Sequence, residues 1–218
     1  MKVQQKSNLK NKVIEYIFNA ILNDKYNQND QIKEVHLANK LEVSRVPIRE
    51  ALLELVTLGI LEHIEKRGVF VKIVTDVDII DTYEAQGIIE GFLATSFAVH
   101  ATQEDMNLLD ELLLKMCDKS DTPTMTAAIG REFHEHSLKY ATNCVLLDNL
   151  KQLNKRSLLM YPKIWESLYT LQEVVIEHQK IVDVLKSRKK DDIERVIKNH
   201  YFNTGSNLVF FNLNHFNK

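Results

Sequence analysis

The sequence predicts a mainly α protein in two domains, residues 1–74 and 75–218, and three observations carry that reading. Only 6 Gly and 3 Pro interrupt 218 residues, so long regular elements are expected and an all-β fold is disfavoured. Apolar residues recur at three- and four-residue steps through most of the chain, the period of amphipathic helices. That period gives way to short β-prone runs in ILEHIEKRGVFVKI, residues 60–73, just before a boundary marked by Thr75 and Asp76.

In the first domain, Val13, Ile14, Ile17, Phe18, Ile21 and Leu22 give one apolar face to a helix from Asn11 to Leu22. NDKYNQNDQI then reads as a polar turn. Val35, Leu37, Ala38 and Leu41 mark a second, short helix that breaks at Leu41-Glu42-Val43. Ser44 stands where the N-cap of a third helix is wanted, its hydroxyl placed to accept a first-turn N–H. Pro47 is tolerated there because first-turn amides have no intrahelical acceptor to lose. Ile48, Leu52, Leu53 and Leu55 continue this helix, and Gly59 ends it. Two β-prone runs around Glu65-Lys66-Arg67-Gly68 then form a hairpin. Helix, helix, helix, hairpin is a winged helix-turn-helix, whose third helix enters a DNA major groove.

Arg45 and Arg49 are four residues apart and project from one face of that third helix. A guanidinium there can fork onto guanine O6 and N7 or clamp a phosphate; on a solvated helix two arginines are also common. At the wing tip Arg67 can reach a minor groove or a flanking phosphate, and Gly68 allows a close approach of the backbone. Ser44, Arg45, Pro47, Arg49, Arg67 and Gly68 are therefore the candidate DNA-binding residues. Net charge is −2, yet residues 1–72 hold 12 Lys/Arg against 9 Asp/Glu, leaving 16 against 21 in the remainder. A mildly basic head on an acidic body suits a DNA reader joined to something that is not one.

From Asp78 onward successive helical patterns cover 78–100, 103–118, 123–141, 145–160, 163–169, 171–188 and 190–213, which make an all-α bundle. Thr102-Gln-Glu-Asp105 and Thr122-Pro123 look like helix starts, and Ser187 to Asp191 like a charged turn. Cys117 and Cys144 lack CxxC spacing and are expected as free buried thiols. No apolar run approaches the roughly 18–20 residues a membrane span needs, so a soluble cytoplasmic protein is expected.

Three histidines of the bundle fall on apolar faces: His134 with Ala127, Gly130, Leu138 and Ala141; His178 with Val175, Ile181, Val182 and Leu185; His200 after Ile193, Val196 and Ile197. Singly, such residues are usually hydrogen-bonded core histidines. Three from three helices can instead hold a divalent first-row metal. A carboxylate ligand would belong one turn before His134, and that position is Gly130; Glu132 and Glu135 point elsewhere. His36, His63, His100, His136 and His215 show no such alignment and are expected at the surface.

IKEVHLANKLEVSRVPIREALLELVTLGILEHIEKRGVFV, with its VSR-P-REAL core and closing RG-V, resembles the DNA-binding domain of the GntR superfamily of bacterial transcriptional regulators. YEAQGIIEG at 83–91, EFH at 132–134, Asn143, EHQKIVDVLKS at 177–187 and NHYFNTG at 199–205 resemble the FadR-type domain of its FCD branch. The resemblance implies operator contacts by Ser44, Arg45, Arg49 and the wing, and a metal on His134, His178 and His200 against which a small organic acid docks. Two positions depart from the pattern: Gly130 replaces the Asp ligand, and Gln86 replaces an Arg that supports the acid site. Losing that carboxylate favours zinc or nickel over manganese. Gln86, Asn143 and Arg156 are the candidate effector-pocket residues. The expected function is a homodimeric regulator, a repressor, of a pseudo-palindromic operator. A metal-dependent enzyme on the bundle and an effector-independent DNA-binding protein are the rival readings.

Overall fold

A computed structural model describes residues 2–118, 123–160 and 168–215, with side chains for 9–118, 125–157 and 168–211. The chain divides into two compact units, residues 1–75 and 76–218.

The first unit holds α1 (Lys2–Leu22), β1 (Gln31–Ile32), α2 (Glu34–Leu41), α3 (Arg45–Thr57), β2 (Leu61–Ile64) and β3 (Gly68–Val71). Val13, Ile17 and Ala20 bury the apolar face of α1 with Leu37 of α2 and Ile48, Ala51, Leu52 and Leu55 of α3. Leu53 continues α3 as expected but lies off that face and is 68% exposed. The break after α2 is made without glycine: Glu42 takes a left-handed conformation (φ 54°, ψ 39°), and Val43 N donates to Ala38 O at 3.2 Å. Ser44 occupies the N-cap of α3 with extended backbone, but its side chain makes no cap hydrogen bond, which corrects the expected hydroxyl cap.

The wing is wider than expected. β1 falls inside the segment read as a polar turn, yet it pairs antiparallel with β3, Gln31 opposite Phe70 and Ile32 opposite Val69, in the order β1-β3-β2. Two residues are too few to show a period of two, so the strand was invisible as a pattern; it forms because Ile32, 3% exposed, closes the sheet over the core.

The second unit is α4 (Asp76–His100), α5 (Gln103–Met116), α6 (Pro123–Ser137), α7 (Cys144–Met160), α8 (Leu171–Ser187) and α9 (Lys190–His215). The expected helix at 163–169 lies almost wholly outside the described residues. α5 opens with a capping box: Thr102 Oγ1 accepts from Asp105 N, and Asp105 Oδ2 accepts from Thr102 N. α6 stops at Ser137 rather than near 141, because Leu138 N and Lys139 N donate three residues back and tighten the last turn.

Lys139 Nζ (2.6 Å) and Tyr140 Oη (2.7 Å) then reach the buried Asp105 carboxylate, tying the end of α6 to the start of α5. His136 joins this knot, donating from Nε2 to the Asp105 carbonyl at 3.0 Å with its ring edge-on to Phe97. That corrects its expected place at the surface; His36, His63 and His100 are exposed, and the His215 side chain lies outside the described set. Both cysteines are free but exposed, not buried, since Cys117 ends α5 and Cys144 begins α7 where each helix reaches the surface.

α4 and α9 meet along a seam of small residues. A Cβ at Gly87 would come within 3.0 Å of the Lys198 backbone, and one at Gly91 within 3.0 Å of the Glu194 carbonyl. Bare glycines let the two backbones approach closely, and the same face of α4 carries Gln86 and Glu90 inward.

Candidate DNA interface and candidate effector site

Arg45 opens α3 and Arg49 follows one turn later, both exposed. Arg49 Nε donates to Glu34 Oε2 at 2.9 Å, linking α3 to α2; with the guanidinium side chain 64% exposed, the pair is water-screened and easily exchanged for another anion. Pro47 is buried and packs inward, so the solvent side of this turn belongs to Ser44, Arg45 and Arg49. On the wing, the Arg67 guanidinium lies 5.0 Å over the Phe70 ring. Gln31 of β1 braces the tip by donating to the Arg67 carbonyl at 2.6 Å, and a Cβ on Gly68 (φ 107°) would stand 3.2 Å from its Nε2. Sequence reasoning missed Gln31 because it missed β1.

In the second unit α6, α8 and α9 bring His134, His178 and His200 together, with one ligand atom from each within 4.8 Å of the others. Their rings pack edge-on or tilted at 4.9–5.3 Å between centroids. His178 Nδ1 donates to the Val174 carbonyl at 2.8 Å, one helical turn back, which leaves Nε2 as the lone-pair nitrogen. Burial first and the neighbouring His134 second push His178 down to about 3. His200 is likewise held well below the usual imidazole range, by burial and then by His178. Both rings are neutral near pH 7, the form that ligates a metal. The Nδ1 of His200 is buried with no hydrogen-bond partner among the described residues.

The carboxylate of this cluster comes from a helix not considered for it. Glu90 of α4, fully buried, accepts from His134 Nδ1 at 2.5 Å and from the Tyr201 hydroxyl at 2.6 Å. An ionised carboxylate is acceptor-only, so it fixes the proton of His134 on Nδ1 and turns the Nε2 lone pair outward. The signal was present in the sequence: on the buried face of α4, Ile79, Tyr83, Ala94 and Phe97 keep a helical period into which Gln86 and Glu90 also fall. An acid in a core register needs a partner. With both its oxygens engaged, Glu90 is not free to act as a general base.

At Gly130 an added Cβ would meet nothing nearer than His178 Nε2 at 3.9 Å, so the place of a fourth ligand is open. Three imidazoles, a second-layer carboxylate and an orphaned ring nitrogen fit a divalent transition metal.

A cavity of about 890 Å³ runs from the histidines past Gly130 to Tyr83, Gln86, Asn154 and Tyr169. Gln86 is 2% exposed; its Nε2 donates to Asn154 Oδ1 at 2.6 Å and to Ser157 Oγ at 3.1 Å. Its partner candidates stand elsewhere. Asn143 is exposed and caps α7, accepting from Leu146 N, while Arg156 pairs with Asp78 Oδ1 at 2.5 Å; neither is among the residues lining the cavity.

Comparison with known proteins agrees with this architecture. The family of bacterial regulatory proteins of the gntR type matches residues 9–71, and the FCD domain matches residues 81–203. The Nta operon transcriptional regulator of Aminobacter aminovorans is 26% identical over 80% of this chain and 82% of its own length. The probable D-xylose utilization operon transcriptional repressor of Paenarthrobacter nicotinovorans is 24% identical over 78% of this chain and 75% of its own. Among solved structures, E. coli McbR/YncC superposes with a TM-score of 0.72 over 93% of this chain and 98% of its own, at 19% identity. No helix among the described residues is long and apolar enough to cross a membrane. The chain is a DNA-binding transcriptional regulator rather than an enzyme, and it belongs to the GntR family of bacterial regulatory proteins, in the branch that carries an FCD domain.

Proposed function

We propose that this regulator is a homodimeric cytoplasmic repressor that releases a pseudo-palindromic operator when a small molecule enters the cavity beside a three-histidine metal site. The observation that carries the reading is the convergence of His134, His178 and His200 on that cavity. His134 and His178 would present Nε2 to zinc or nickel, and Glu90 would orient His134 from behind. Held by these three histidines, a divalent metal would supply a positive charge for an effector to meet. Ser44, Arg45 and Arg49 with the wing residues Arg67 and Gly68 would contact the operator.

A dimer is supported by α4, where Ile88, Phe92 and Val99 are 51%, 47% and 68% exposed at helical spacing, a stripe a second copy would cover. Two heads then read half-sites about one DNA turn apart. Regulation follows from linkage: an effector that prefers one dimer geometry shifts the population away from the spacing that grips DNA. The test measures metal in protein purified without chelator and operator affinity with and without it. Wild type is expected to carry zinc or nickel and His134→Ala to lose it. A preparation that refuses added zinc and nickel, with operator binding indifferent to both, defeats the proposal.

A further inference from the structure

The wing is held by a residue outside its own hairpin. Gln31 and Phe70 are direct partners across β1 and β3, so their side chains lie side by side on one face of the sheet. From there Gln31 Nε2 donates to the Arg67 carbonyl at 2.6 Å, across 36 positions of chain. Phe70, 7% exposed, carries the Arg67 guanidinium 5.0 Å over its ring. One cross-strand pair therefore holds Arg67 at both ends, the backbone by Gln31 and the guanidinium by Phe70.

The hold acts on the peptide of the tip that most needs it. Lys66 (φ 62°) and Gly68 (φ 107°), on either side of Arg67, both have positive φ. The turn secures the N–H of Arg67, which donates to the Ile64 carbonyl at 3.0 Å, while the Arg67 carbonyl is secured from β1. Glycine at 68 lets the Arg67–Gly68 peptide rotate at little cost, so its orientation depends on what that carbonyl meets. The strand itself does not depend on the Gln31 side chain. Asn29 N donates to Val71 O and Val71 N to Asp30 O, both at 2.9 Å, and Ile32 anchors β1 in the core.

We propose that Gln31 is a positioning residue of the DNA interface: by holding the Arg67–Gly68 peptide it keeps the Arg67 guanidinium over Phe70, ordered before the wing meets the operator. The inference rests on the reading of Arg67 as an operator contact. An arginine already ordered loses less rotamer freedom when it docks, so removing the brace weakens binding without removing a contact.

The test measures binding of full-length protein to a duplex selected with it from a random-sequence pool, by fluorescence anisotropy over a range of salt concentrations. Arg67→Ala is expected to weaken binding about tenfold and to lower the salt slope by about 1. Gln31→Met, which keeps the side-chain length and loses the donor, and the shorter Gln31→Ala are each expected to weaken it about 2–10-fold, the range for one hydrogen bond. In the Arg67→Ala background the same substitutions are expected to cost nothing further. A glutamine that merely stabilised the sheet, or that touched DNA itself, would cost the same in both backgrounds. Wild-type affinity in both Gln31 variants, or equal losses in the two backgrounds, overturns the inference while leaving Arg67 as an operator contact. An Arg67→Ala protein with wild-type affinity and salt slope instead defeats the reading of Arg67 on which the inference stands.

Discussion

Glu90→Gln tests the metal site at the atom on which it depends. The carboxylate of Glu90 accepts from two donors, His134 Nδ1 at 2.5 Å and Tyr201 Oη at 2.6 Å, and it is fully buried. A glutamine of the same shape offers one acceptor and one NH₂. If its oxygen keeps Tyr201, its NH₂ must face His134 Nδ1, which becomes an acceptor, and the ring proton moves to Nε2. The nitrogen that would ligate the metal is then blocked. Loss of such a supporting carboxylate costs about 10–100-fold in metal affinity, roughly 1.4–2.8 kcal/mol. Competition titration of zinc against a chromophoric chelator reads this directly, with circular dichroism confirming that the variant is folded. Tyr201→Phe is the control: it removes one donor, leaves the His134 contact and should cost less. A folded Glu90→Gln protein that binds zinc as tightly as wild type would refute the reasoning, because His134 would not then depend on its tautomer.

Three other expectations follow from the same structure. Gly130→Asp places a carboxylate where an added Cβ has 3.9 Å to its nearest neighbour, so zinc affinity in the same titration should rise by about tenfold or more, over 1.4 kcal/mol; no gain would mean that the carboxylate does not reach the metal. Arg49→Ala should weaken operator binding by about 1–3 kcal/mol while leaving the dimer unchanged, and Glu34→Ala, which frees the same guanidinium, should not weaken it; fluorescence anisotropy at physiological salt checks both. Because His178 sits near 3 and His200 well below its ordinary value in the fold, the unfolded chain binds more protons once pH drops below about 6.5. Their contribution is complete above that pH and is lost progressively as pH falls toward the folded values. Between pH 6.5 and 5.5 the pair should cost about 2 kcal/mol in urea unfolding with chelator present, and a flat profile would contradict their burial as neutral rings.

Much of this molecule was legible residue by residue. The apolar spacing of Val13, Ile17, Leu37, Ile48 and Leu52 marked the helices of the DNA-reading unit, and the runs around Arg67-Gly68 marked the hairpin. These are local signals, since a period of 3.6 or 2 is written within a few turns of chain. The inward alignment of His134, His178 and His200 was legible for the same reason. Asn143 and Arg156 were less so: each is polar in a helical region, but what a long side chain reaches depends on its neighbours, here the first turn of α7 and Asp78.

The sequence by itself determined the class of fold, the succession of helices and hairpin in the first unit, and the three inward imidazoles, because periodicity and short motifs act over neighbouring residues. Only the tertiary structure decided that Gln31 braces the wing, that Glu90 rather than a residue of α6 stands behind His134, and that Gln86 donates to Ser157. Those facts join residues 36, 44 and 71 positions apart, and contacts at such separations are set by how helices and strands pack rather than by any local pattern.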